Sequence, residues 1–173
     1  MITVIRHSVM KEQIIHPFEP IFDSESKVLI LGTIPSPKSR EIQFYYGHPQ
    51  NRFWRILPDL FGKEKLISVP EKTEFLHETH IALWDVLASC EIEGADDSSI
   101  RKMIPNDLSR IISKAPINAV FTNGQKASFV YKKFFLQKYN IPWIGLPSTS
   151  PANCRFWTYD SLKDAYRVIL DYL

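Results

Sequence analysis

The chain has 173 residues, a formal net charge of +2 and a hydrophobic content of 45%. That length fits one domain with a substantial core, and the apolar content excludes a disordered chain. Two cysteines, Cys90 and Cys154, are too few for a disulfide scaffold, a zinc ribbon or an iron–sulfur centre.

In chain order, residues 1–22 carry Pro17 and Pro20 and suggest an extended approach segment. Residues 27–32 are a continuous apolar run ending on Gly32, the pattern of a buried parallel strand. A polar and aromatic loop covers 33–50. From about Asn51, the residues Phe53, Trp54, Leu57, Leu60 and Phe61 recur at helical spacing, with Pro58 set to kink or shorten the helix. A second helix is predicted over 70–77 and a strand over 80–85, followed by an acidic loop at 91–97. Asp107 can cap a short helix carrying Leu108, Ile111 and Ile112. A third strand spans 117–122 and closes on Asn123-Gly124, and a lysine-bearing helix runs to about Lys138. The fourth strand spans 141–146, a loop covers 147–154, and Thr158 starts a last helix with Leu162, Ala165, Tyr166, Ile169 and Leu173 on its buried face.

Strands alternating with helices predict an α/β fold, a central, mostly parallel four-stranded sheet with helices on both faces, in one domain over 1–173. In such sheets ligands bind beyond the carboxyl ends of the strands. The loops 32–50, 85–97 and 147–154 should therefore meet in one cleft, with the Asn123-Gly124 turn beside them.

Two segments carry candidate chemistry. In the first, Gly32-Thr33-Ile34-Pro35-Ser36 leads to Phe44-Tyr45-Tyr46-Gly47-His48-Pro49 and then to Asn51-Arg52-Phe53-Trp54. A glycine at a strand end lets backbone approach a ligand, and tyrosines offer flat faces for stacking. Asn51 can cap its helix or aim its amide at a ligand or water. The second segment is Leu146-Pro147-Ser148-Thr149-Ser150-Pro151-Ala152-Asn153, followed by Arg155. Its hydroxyls and stiff prolines suit a phosphate grip. His48 reads as a structural hydrogen-bonding residue, and the lysines at 126, 132, 133 and 138 as a solvated helix face.

The Gly-x-x-Pro turn with a later His-Pro-x-Asn-Arg-Phe-Trp resembles the first motif of mismatch-specific uracil-DNA glycosylases. The Leu-Pro-Ser-Thr-Ser-Pro-Ala-Asn loop resembles that superfamily's second motif. The fuller pattern, including Ala-Leu-Trp-Asp-Val at 82–86, is most similar to the hypoxanthine-DNA glycosylase branch. The likeness spans roughly 27–173. It implies a three-layer α/β/α sandwich, and a monomeric, intracellular DNA repair enzyme, cytoplasmic and in a prokaryote nucleoid-associated, that hydrolyses the N-glycosidic bond of a deaminated base with no metal or other cofactor. Its partner would be double- or single-stranded DNA holding that base, with no membrane involved.

The resemblance also implies roles. Gly32, Thr33, Ile34, Tyr46, Asp85 and Asn123 would face the flipped base, Tyr46 by stacking. Ser36, Ser148, Thr149, Ser150, Pro151, Ala152, Asn153 and Arg155 would hold or wedge the DNA. Many superfamily members carry Asp or Asn two positions after the motif glycine, where this chain has Ile34, and the histidine of the uracil enzymes falls at Leu146. The hypoxanthine branch instead implies Asn51 as the catalytic group. Two rivals stay open: a uracil or thymine mismatch glycosylase, and a lesion-binding module without catalysis.

Overall fold

In the computed structural model, which describes residues 10–173, four strands form a sheet in the order β3-β2-β6-β7. These are β2 (Val28–Gly32), β3 (Ile81–Asp85), β6 (Ala119–Asn123) and β7 (Trp143–Leu146). Every pairing is parallel. In β2, β3 and β6 every residue is buried, which explains their unbroken apolar runs: both faces are covered by packing elements. The chain leaves β2 for β3 on one side and later returns to β6 on the other. The order reverses between β2 and β6, so a crevice opens beyond Gly32 and Asn123.

The connecting helices are α1 (Pro37–Ile42), α2 (Phe53–Leu60), α3 (Val69–Glu78), α4 (Ser109–Ile112), α5 (Gln125–Phe134) and α6 (Tyr159–Tyr166). Their starts follow local chemistry. Ser68 and Glu71 form a reciprocal capping box on α3, and the Thr158 hydroxyl accepts from the Ser161 N–H at α6. Asp107 accepts from the Ser109 N–H at the start of α4. Pro58 sits near the carboxyl end of α2, which stops two residues later, as expected of a proline that removes a donor.

The fold also contains a second sheet that the pattern of apolar runs does not reveal. β1 (Lys11–Ile15), β4 (Leu87–Glu93) and β5 (Asp96–Pro105) pair antiparallel in the order β1-β4-β5. The expected acidic loop at 91–97 is therefore the end of β4, a tight turn at Gly94 and the start of β5. The extended approach segment at 1–22 holds β1 instead, and its first nine residues lie outside those described. Only one residue, Val86, separates β3 from β4. The N–H groups of Val86 and Leu87 donate to the Gly32 and Thr33 carbonyls, and the Asn106 amide donates to the Asp85 and Leu87 carbonyls. Asp85 thus sits at the crease where the chain passes from one sheet to the other.

Candidate active site

A cleft of about 330 Å³ opens at the carboxyl ends of the parallel strands. This is a reasonable size for a small-molecule or single-base site, which commonly spans roughly 300–1,000 Å³. Its floor comes from Gly32, Thr33, Ile34, Asp85 and Asn123, one wall from Ser36, Tyr46 and Asn51, and the other from Ser148, Thr149, Ser150, Pro151 and Ala152. Ile92, Gly94, Ala95 and Asp97 of the β4–β5 hairpin complete the mouth. The predicted meeting of loops is what the fold produces. Of the candidate residues, Asn153 and Arg155 do not line the cleft: the Asn153 amide donates to the Ser148 carbonyl, and Arg155 is exposed beyond the loop.

Tyr46 is held in an uncommon backbone state, φ +53°, which for a tyrosine costs of order 1–3 kcal/mol and is sustained only by its surroundings. Phe53 stacks on its ring with centroids 4.0 Å apart and an interplanar angle of 24°. That fixes the ring as a partly exposed wall with its hydroxyl buried. Burial, reinforced by the Asp85 charge and opposed by the Asn123 amide, pushes that hydroxyl far above the ordinary phenol range. Tyr46 is therefore a neutral ring in use.

Asn51 has two roles available to it. Its Oδ1 accepts from the Phe53 N–H at 3.0 Å, a turn-type bond made one position before the N-cap, which is Arg52 and not Asn51 as the sequence suggests. Its amide nitrogen has no partner among the described residues and is free to serve the cleft.

Asn123 and Thr149 lock together: the Asn123 amide donates to Thr149 Oγ1 at 2.9 Å, and the Thr149 N–H donates to Asn123 Oδ1 at 3.0 Å. Thr149 is fully buried, so its side chain is a brace inside the loop and not one of its outward hydroxyls. Ser148 remains part-exposed, its Oγ accepting from the Ser150 N–H. Gly124, at φ +100°, permits the close approach, since a Cβ there would lie 3.1 Å from Ser148 Cβ. Ser36 caps α1 through the Ser39 N–H, and Ile34 is half-buried against the core. His48 accepts from the Gln50 N–H, in keeping with a structural role. Lys132, Lys133 and Lys138 are solvent-exposed, while Lys126 is half-buried.

Two site residues were not foreseen. Arg52 is 8% exposed; its N–H donates to the Thr149 carbonyl and its guanidinium to the Trp157 carbonyl at 2.6 Å, tying the two motif loops together. His16 places Nε2 2.7 Å from Asp85 Oδ2, with both side chains almost wholly buried. Arg52 stood in plain view within the first motif. His16 offered no signal, since its partner is 69 positions away.

The chain matches the family model described as the Uracil DNA glycosylase superfamily over residues 19–173. A hypoxanthine DNA glycosylase of Methanosarcina acetivorans is 35% identical over 141 residues, covering 80% of this chain and 88% of the relative. Another, from Methanosarcina barkeri, is 36% identical over 112 residues, covering 64% and 71%. A solution NMR structure from Methanosarcina acetivorans, provisionally described as a uracil DNA glycosylase, superposes with a TM-score of 0.76 at 32% identity, covering 88% of this chain and 96% of that one. Among the described residues, no helix is long and apolar enough to cross a membrane.

Proposed function

The chain belongs to the uracil DNA glycosylase superfamily, and from that premise we propose that it removes hypoxanthine from DNA by hydrolysis. The observation that carries this reading is the convergence of the Tyr46 ring, the free Asn51 amide and the Ser148–Ala152 loop on one cleft, in a chain about 35% identical to relatives named hypoxanthine DNA glycosylase. The absence of a carboxylate or amide at Ile34 and of a histidine at Leu146 weighs against a uracil mechanism.

The target base leaves the stack, at a cost of a few kcal/mol that a mismatch reduces. It enters the cleft and stacks on the Tyr46 ring, worth ~1–3 kcal/mol. Ser36, Ser148 and Ser150 hold the backbone, and Arg155 lies outside the cleft where flanking phosphates pass. The bond between the sugar carbon and the base nitrogen then breaks, its electron pair leaving with the base. The sugar becomes oxocarbenium-like, as in other glycoside hydrolysis, and the DNA phosphates help to stabilise it. Water held by Asn51 adds to the sugar carbon, and its proton passes to solvent or to the departing base. An amide is no strong base, so slow turnover is expected. Among the described residues no lysine lines the cleft, and Lys38 is ion-paired with Glu41 at 3.2 Å, which favours water over an amine nucleophile.

Oligonucleotides carrying single hypoxanthine, uracil or xanthine lesions test the reading directly. Hypoxanthine should be released fastest, EDTA should leave the rate unchanged, and borohydride should trap no protein–DNA adduct. Faster release of uracil would move the assignment to the mismatch branch. Lesion binding without release would make the protein a binding module.

The loop assignment has its own test. Ser148→Asp keeps an acceptor for the Ser150 N–H but sets a negative charge against the backbone. Affinity should fall for every DNA sequence alike, because phosphate contacts carry no sequence information. Unchanged affinity at low salt would remove the loop from the interface.

A further inference from the structure

We propose that His16 is the positioning residue for Asp85, and that the pair gives the cleft floor a fixed acceptor for a ring N–H of the flipped base. This inference rests on the glycosylase reading above and names the feature by which the site tells a deaminated base from its parent.

Four observations carry it. First, the pair is short and enclosed: His16 Nε2 lies 2.7 Å from Asp85 Oδ2, with side-chain exposures of 5% and 6%. Burying two ionisable groups is costly, and such a pair is weak support for stability by itself. Second, the pair is not needed to tie its segment down. β1 already pairs with β4, and the His16 N–H donates to the Ala88 carbonyl at 2.8 Å. Third, Asp85 lines the cleft, and its other oxygen, Oδ1, lies against Gly32, 2.4 Å from where a Cβ would stand. Holding Oδ2 therefore fixes where Oδ1 points. Fourth, His16 directly follows β1 and precedes residues 19–173, the segment matched to the family.

The chemistry of the ligand follows from the acceptor. A carboxylate offers lone pairs only. Hypoxanthine presents an N1–H there, whereas adenine presents an N1 lone pair, which a carboxylate repels. Deamination converts the second pattern into the first. A fixed carboxylate thus favours bases with a lactam N–H, and a site that leaves a buried polar group unpaired rejects the wrong ligand strongly. His16 keeps the carboxylate in register. Phe18 at 4.9 Å, Tyr45 at 6.1 Å and Trp84 at 6.4 Å hem the imidazole in.

The experiment compares wild type with His16→Phe, which removes the donor, and His16→Gln, whose amide nitrogen can stand in for Nε2. Two readouts are taken on duplexes carrying one hypoxanthine or one unsubstituted purine, a base lacking both the N1–H and the oxygen. They are single-turnover release of hypoxanthine and the ratio of affinities for the two duplexes. His16→Phe should slow release about ten- to a hundredfold, as small misplacements of site groups do, and should bring the affinity ratio toward unity. His16→Gln should restore most of both. A purely structural pair would lower the melting temperature yet leave the affinity ratio of the folded protein intact, and that result overturns the proposal. So does a His16→Phe protein matching wild type in both readouts. A wild type that neither releases nor prefers hypoxanthine overturns the glycosylase reading and this inference together.

Discussion

Asn51→Ala is expected to lower the single-turnover rate of base release by roughly 10²–10³, the range for loss of one preorganised polar group, while leaving lesion binding nearly intact. The difficulty is that Asn51 also accepts from the Phe53 N–H at the start of α2, and losing one such hydrogen bond costs about 1 kcal/mol of stability. Phe53 in turn supports the Tyr46 ring, so a frayed helix start could disturb stacking and mimic a catalytic defect. Asn51→Ser separates the two roles, since a serine hydroxyl can accept from the N–H two residues on but has no amide. It should recover the melting temperature of wild type and remain slow. If Asn51→Ser releases hypoxanthine at the wild-type rate, the amide is not the group that holds water. Asp85 or Asn123, both on the cleft floor, is then the next candidate.

The parallel sheet was legible because its signal is local. Strands buried on both faces read as unbroken apolar runs, and β2, β3 and β6 are of that kind. The second sheet was not legible. β5 is mostly exposed, and β4 meets it through shifts of register after Leu87, Ser89 and Glu91, which blur the alternation that marks a half-buried strand. Its acidic residues then look like a loop. β1 is shorter still, with Ile14 its sole inward residue.

The same division runs through the site. Residues within the two motif segments announce themselves, because glycine, proline, tyrosine and serine have local meanings in turns and loops. What each of them does in the fold depended on partners far along the chain. Thr149 turns inward because Asn123, 26 positions earlier, accepts from its N–H and donates to its hydroxyl oxygen. His16 carries no local signal, because a histidine between Ile15 and Pro17 has meaning only once β1 is laid beside β4. Long-range pairing decides such roles, and a single sequence does not display it.

Gly32→Ala should be the most damaging single methyl in the cleft. The added Cβ would stand 2.4 Å from Asp85 Oδ1, closer than real atoms tolerate, and 3.0 Å from the Tyr46 hydroxyl, a tight contact. A loose side chain would simply swing away. Asp85 has no such freedom, because Oδ2 is held by His16 and the backbone is pinned by Asn106 and by the Val86 N–H on the Gly32 carbonyl. Overpacking of this kind costs about 1–3 kcal/mol. Displacing the carboxylate and the ring by even about 1 Å should slow base release by roughly 10²-fold. A double-mutant cycle with Asp85→Ala identifies the cause. With the carboxylate gone the methyl has room, so Gly32→Ala should cost much less stability on that background, giving a coupling within the range of roughly 0.5–3 kcal/mol seen for residues in contact. Equal costs on both backgrounds would mean that the methyl does its harm elsewhere, with the Tyr46 hydroxyl as the remaining close neighbour, and Tyr46→Phe would then be the background that relieves it.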